Sequence, residues 1–243
     1  MNTTVEEGLQ LLSSMKHLLN DLSGVETIIF PPFLSLVPIK EVLDGTSVKL
    51  GAQNMHYQLH GAVTGEIGPS MLCKLCDFVI IGHSERRQLL REDDSMINKK
   101  IKSAQSVGLR PIICVGESLQ ERQLGQAEEV ITTQLESALK DIIHPAGITI
   151  AYEPIWAIGS GEAANPALVS EIMGTVIFEC LQRLYGQHNA SQIALLYGGS
   201  VSPDNVDQFI KQKHIHGALV GGSSLKKDEF VEIVKIAGEL HDG

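Results

Sequence analysis

Tryptophan occurs once in this 243-residue chain, aromatic residues make up only 5% of it, and Lys plus Arg (19) fall well short of Asp plus Glu (29). The net charge of −10, with no basic run to offset it, argues against a nucleic-acid or anionic-membrane surface. Any anionic substrate would have to be held by local dipoles and a few placed cations. No stretch approaches the roughly eighteen apolar residues of a membrane span. The amino terminus lacks the basic-then-apolar pattern of a signal peptide. Cysteine is scarce, at positions 73, 76, 114 and 180. Cys73-Lys74-Leu75-Cys76 has the C-x-x-C spacing, but without a second Cys or His pair it makes a poor zinc site. Reduced thiols in a cytoplasmic protein are the economical reading, and no metal site is expected.

What is present fits an enzyme of one domain spanning 1–243. Hydrophobic content of 43% and charged content of 20% are ordinary for a sizeable core. Short apolar runs predict strands over 26–30, 48–52, 78–81, 110–115, 148–152, 193–197 and 217–220. Helical patterns lie between them, over 34–43, 69–75, 93–106, 126–143, 166–185, 203–212 and 228–240. Pro166 and Pro203 suit first-turn positions, with Asn165 and Ser202 as N-caps. Repeated β-α units imply a parallel sheet with helices outside. The chain opens on a helix, with Val5, Leu9, Leu12, Met15, Leu19 and Leu22 as its apolar stripe. Eight helices against seven strands point to an eight-stranded α/β barrel whose first strand is absent from the amino end.

The strand ends carry the chemistry. Glu153 follows the run Ile148-Thr149-Ile150-Ala151-Tyr152, where parallel α/β proteins place catalytic groups. After it comes Pro154-Ile155-Trp156-Ala157-Ile158-Gly159-Ser160-Gly161: a proline-stiffened start, the lone tryptophan, and glycines at the far end. That is how a hinged lid over a base would be built. His83 stands just past the 78–81 strand. A helix dipole there would lower its pKa and keep the imidazole neutral, with an N–H to polarise a carbonyl; a structural histidine bonded to backbone fits the residue alone equally well. Gly198-Gly199-Ser200 and Gly221-Gly222-Ser223 follow the last two strands, where barrels often bind phosphate through backbone N–H groups.

These segments together resemble the triosephosphate isomerase family. The resemblance rests on Gln53-Asn54 with Gly61 to Ile67, Gly82-His83-Ser84-Glu85-Arg86-Arg87, Cys114-Val115-Gly116-Glu117, Tyr152 to Gly161, Tyr197 to Val201, and Leu219 to Leu225, in the family's order across nearly the whole chain. It implies a (β/α)8 TIM barrel interconverting dihydroxyacetone phosphate and glyceraldehyde 3-phosphate without metal or organic cofactor. By resemblance, Glu153 is the base and His83 the electrophile, Glu85 an outer carboxylate of the same site, and the N–H groups of Gly159, Ser200, Gly221 and Gly222 a phosphate clamp. The 54–68 loop is similar to the family's dimer loop, with its tip near Thr64, and implies a homodimer.

Some features depart from the family pattern. The family's first strand ends in Asn-x-Lys followed by Met-Asn; here Met1-Asn2 matches that last pair, so the strand and the lysine have no counterpart. Losing one electrostatic donor of this kind costs about a hundred- to a thousand-fold in turnover, and two sheet edges would be bared. Either Met1 is an internal methionine with about ten residues before it, or the short form is an impaired or non-catalytic dimerising relative. Gly68 stands where a serine cap is usual, and Glu162 and Ala163 alter the far hinge. Another sugar-phosphate barrel would share the final glycine turns, but would not need the His83 and Glu153 segments together.

Overall fold

In a computed structural model describing residues 1–157 and 164–241, seven parallel strands form one curled sheet. The strands are β1 (Ile28–Ile29), β2 (Lys49–Ala52), β3 (Phe78–Ile81), β4 (Arg110–Val115), β5 (Thr149–Tyr152), β6 (Ala194–Tyr197) and β7 (Gly217–Ala218). They lie in chain order, each parallel to the next. This is a TIM barrel missing one strand, and β1 and β7 are its open edges. Both edge strands are short and half-buried, whereas all four residues of β3 and of β5 are buried. An edge strand has a hydrogen-bonding neighbour on one side only, which limits how far its ladder extends.

Burial on two faces explains why the central strands read as unbroken apolar runs. Alternate residues divide between two layers. Phe78 and Ile80 of β3, Ile112 and Cys114 of β4 and Ala151 of β5 pack inside the barrel, with Phe30, Leu196 and Leu219 against them. Val79, Ile81, Ile113 and Ile150 face the helices. Inside the barrel, Gly51 leaves room for the Phe30 ring, since a Cβ there would stand only 2.1 Å from it.

The first helix (Val5–Asn20) starts on a capping box: Thr4 Oγ1 accepts from the Glu7 N–H, and the Glu7 carboxylate accepts from the Thr4 N–H. Its buried face, Leu12, Met15 and Leu19, packs on helices Leu36–Leu43 and Lys227–His241. Those helices follow β1 and β7, so the outer helical layer runs continuously past the place where the sheet is open.

Two boundaries differ from expectation. Asn165 caps helix Pro166–Glu171, accepting from the N–H groups of Ala167 and Leu168, but Ser202 does not cap a helix at Pro203. The helix begins at Val206. Before it the Ser202 carbonyl accepts from Asn205 and Val206, while Asn205 Oδ1 accepts from the Ser202 N–H, and this local turn competes with a helical start. Helix Pro166–Glu171 also runs into a π-helical stretch (Ile172–Phe178) and then Glu179–Ala190, broken at Gly186 (φ 77°, ψ 160°). The His214 ring lies against the widened segment, where a Cβ on Gly174 would meet it at 2.8 Å. Glycine permits that approach, and wide turns of this kind occur where a side chain presses into a helix.

Candidate active site

The carboxyl ends of β3 and β5 deliver His83 and Glu153 to the same place. Glu153 is 2% exposed, and its Oε1 lies 3.0 Å from His83 Nε2. Its other oxygen, Oε2, accepts from the Ser84 backbone N–H at 2.8 Å. Three neighbours set the position of Glu153 itself. Its N–H donates to the Val115 carbonyl at 2.8 Å, continuing the β4–β5 ladder. A Cβ on Gly116 would come within 1.8 Å of the Glu153 carbonyl oxygen, and one on Gly198 within 2.8 Å of Glu153 Cγ. Only glycine lets the backbone and side chain of Glu153 pass so close. The Gln134 amide takes up both polar groups of Gly116, accepting from its N–H and donating to its carbonyl.

His83 is the N-cap residue of helix Ser84–Leu90, and its Nδ1 accepts from the Glu85 N–H at 3.3 Å. An accepting Nδ1 carries no proton, so Nε2 holds the hydrogen and donates it to Glu153. The geometry is that of the neutral tautomer. The expected lowering of the His83 pKa by the helix is nonetheless corrected. Burial does pull it down, but the hydrogen bond and charge of Glu153, with Glu85 adding to them and Arg86 opposing, hold it above its ordinary value. Glu85 Oε2 lies 3.8 Å from His83 Nδ1 on a largely exposed side chain. The buried Cys114 thiol, pushed well up by burial and then by the adjacent Glu153, stays protonated beside the carboxylate.

The two glycine turns lie next to each other. Gly198, at the start of the first, donates to the Tyr152 carbonyl beside Glu153. The second is tied to it by Ser223 Oγ, which donates to the Val201 carbonyl at 3.0 Å. Among the described residues, none accepts from the backbone N–H of Ser200, Gly221 or Gly222. Open space lies where a Cβ on Gly221 or Gly222 would stand. Gly159, the remaining clamp residue of the expectation, falls in 158–163, outside the described residues, as do Glu162 and Ala163. Thr64 is exposed on the 54–68 loop.

Sequence reasoning assigned no role to Glu117, yet it anchors the start of the loop after Glu153. Its carboxylate is 0% exposed. It accepts from Tyr152 Oη (3.1 Å), from Trp156 Nε1 (2.9 Å) and from Arg122 Nη1 (3.1 Å). The Arg122 guanidinium also lies over the Trp156 ring, 4.9 Å from its centroid. Burial and then the Glu117 charge push the Tyr152 hydroxyl far up, so it remains a donor. At the other end of the loop, Ala164 N–H reaches Tyr197 Oη at 3.4 Å. The signal was available: Glu117 lies just past an apolar strand, as Glu153 does. Trp156→Phe removes one donor from a buried charge, at a cost of about 1–3 kcal/mol. A thermal melt followed by circular dichroism is expected to show a midpoint lower by about 2–4 °C per kcal/mol for a domain of this size. An unchanged midpoint would mean that the bond contributes nothing in solution.

Comparison with known proteins gives the family of the chain. The family profile for triosephosphate isomerase matches residues 1–237. A protein of Dehalococcoides mccartyi strain CBDB1 described as triosephosphate isomerase is 48% identical over 242 residues, covering 100% of this chain and 95% of that protein. One from Herpetosiphon aurantiacus, with the same description, is 47% identical over 238 residues, covering 97% of this chain and 95% of its own length. A third, from Chloroflexus aurantiacus, is 44% identical over 237 residues, covering 96% and 94% respectively. With a matching profile over nearly its whole length and relatives at this identity, the chain belongs to the triosephosphate isomerase family.

Proposed function

We infer that this protein interconverts dihydroxyacetone phosphate and D-glyceraldehyde 3-phosphate, an aldose–ketose isomerisation of glycolysis and gluconeogenesis, by proton transfer through an enediolate. The observation that carries the reading is the 3.0 Å approach of His83 Nε2 to Glu153 Oε1 at two strand ends. A base and a neutral N–H donor within reach of one small molecule suit proton abstraction next to a carbonyl, a pairing of which triosephosphate isomerase is itself a standard example.

The chemistry follows from which bonds must break. Both oxygens of Glu153 accept hydrogen bonds, from His83 and from the Ser84 N–H. A triose phosphate entering between them takes the His83 N–H onto its carbonyl oxygen and frees Oε1 for the adjacent C–H. Glu153 removes that proton, His83 gives its Nε2 proton to the former carbonyl oxygen and takes one back from the neighbouring hydroxyl oxygen, and Glu153 returns the proton to the neighbouring carbon. The redox state is unchanged, and the proton held on the Glu153 carboxyl exchanges with solvent before it is returned to carbon, so the reaction as written needs no cofactor. The N–H groups of Ser200, Gly221 and Gly222, with Gly159, hold the phosphate. Closure of the 154–161 segment excludes water and restrains elimination of phosphate from the enediolate. The chain acts as one domain in the cytoplasm; among the described residues no helix is long and apolar enough to cross a membrane.

The test is turnover of dihydroxyacetone phosphate by the purified protein, with deuterium incorporation from D2O into substrate and product. Another sugar-phosphate barrel, or a non-catalytic relative, would bind phosphoglycolate without exchanging that proton, and such a result would overturn the reading.

The working form is a homodimer joined through the 54–68 loop. The loop leaves a fixed neck, where His56 N–H donates to the Ile67 carbonyl at 2.8 Å. Asn54 at its base accepts from Lys100 Nζ, which is paired with Glu92, as is Arg86. Val63 in the loop and Met71, Leu89 and Leu90, close in sequence to the loop or to His83, are exposed apolar residues, as expected of a surface that a second copy covers. Light scattering is expected to give twice the chain mass for the parent. Leu90→Asp should shift it toward the monomer, and a dimer unaffected by that change would place the interface elsewhere.

A further inference from the structure

We propose that Arg87 is a positioning residue: its guanidinium joins the ends of β3 and β4 and so sets the placement of the His83 imidazole against the Glu153 carboxylate. The β3–β4 ladder runs from Phe78 opposite Arg110 to Ile81 opposite Ile113 and stops there. One residue further on, Gly82 turns away with φ +73°, which carries His83 over the sheet end, while Cys114 continues in register with Ala151 of β5. Arg87 fills the rung that the ladder leaves. Its Nε donates to the Gly82 carbonyl at 2.8 Å and its Nη2 to the Cys114 carbonyl at 3.1 Å.

Each of those carbonyls bears on one member of the reacting pair. The Gly82 carbonyl belongs to the peptide unit whose nitrogen is that of His83. Cys114 is the residue whose thiol lies against Glu153. The third side of the guanidinium is held by Asp94 Oδ1 at 2.6 Å, at the start of helix Asp94–Ser106. The Arg87 side chain is only 13% exposed, so water does not substitute for these bonds. A planar fork of five donors can satisfy three acceptors in fixed directions at once; a lysine ammonium, a point charge on a flexible stem, does not reproduce that plane. A residue that only held the fold together would affect stability without changing how His83 titrates.

The kinetic arm of the test rests on the isomerase reading; the titration arm does not. Arg87→Lys keeps the charge and loses the fork. The groups facing His83 are Glu153, Glu85 and Arg86, and none of the three is substituted. In the full chain, well below its melting temperature, Arg87→Lys is expected to lower kcat by about a hundredfold, the cost of a displacement of about 1 Å at a reacting centre. KM should change by less than about threefold, since uniform substrate binding is untouched. The NMR titration midpoint of the His83 imidazole is expected to fall, because Glu153 is the contact that holds it up. Asp94→Ala leaves Arg87 present but removes the acceptor of its Nη1, and should produce smaller changes of the same sign; it also decides the matter if the lysine variant does not fold. Parental kcat and parental His83 titration in a folded variant overturn the assignment. If the parent shows no proton exchange, the isomerase reading fails by itself, and the His83 midpoint alone decides the role of Arg87.

Discussion

Glu153→Asp is expected to lower kcat by about a hundred- to ten-thousand-fold, the range a positioned base supplies, while KM changes little. The substitution keeps the carboxylate and withdraws it by one methylene. Its two present partners are rigid: the Ser84 N–H belongs to the first residue of a helix, and His83 is held at Nδ1 by the Glu85 N–H. A shortened side chain cannot keep both contacts and still reach a substrate carbon, and a misplacement of about 1 Å costs roughly a hundredfold. The proposed phosphate clamp uses other residues, so substrate affinity should hold. Steady-state kinetics in both directions provides the check. A silent substitution would show that Glu153 is not the base, and a rise in KM with kcat preserved would make it a binding residue.

The second large effect is expected at Gly116, which has no side chain to offer a substrate. Gly116→Ala would place a methyl group 1.8 Å from the Glu153 carbonyl oxygen. Real Cβ atoms do not approach so closely, so either the Gly116 segment or the Glu153 backbone has to move. The Gly116 segment is clamped by Gln134 on both its N–H and its carbonyl, which directs the displacement toward the base. Overpacking of this kind typically costs about 1–3 kcal/mol, and the accompanying shift of Glu153 should reduce kcat by about a hundredfold. A denaturant melt and initial-rate measurements separate the two consequences. Normal turnover in a destabilised protein would show that the strain is absorbed away from the site.

Sequence reading succeeds in the middle of the sheet and stops at its edges. The strands at 78–81 and 110–115 match the structure residue for residue, because a strand buried on both faces is a near-continuous apolar run, interrupted here only by exposed Arg110 at the start of the second. Edge strands have no such signature, and 26–30 and 217–220 shrink to Ile28–Ile29 and Gly217–Ala218. Pro203 is a reasonable helix start by local chemistry, but the Asn205–Ser202 turn takes those backbone groups first. The widened turn at Ile172–Phe178 cannot be read along the helix, since its neighbour His214 lies far away in the chain.

The site divides in the same way. Glu153, His83 and the two glycine turns were legible because each lies just past a strand, and a parallel barrel gathers all such ends on one face. Their type and order in the chain are properties of the sequence alone, as is the acidic balance. Three-dimensional packing decided the rest. It set the His83 imidazole on Glu153, so that a neighbouring carboxylate outweighs burial and raises a pKa expected to fall. It made Gly116 and Gly198 the space-givers for one side chain, buried Glu117 among three donors, and laid Arg87 across two carbonyls. Hydrophobic pattern and turn chemistry act between residues close in the chain, whereas these contacts join residues brought together only when the strands stand side by side.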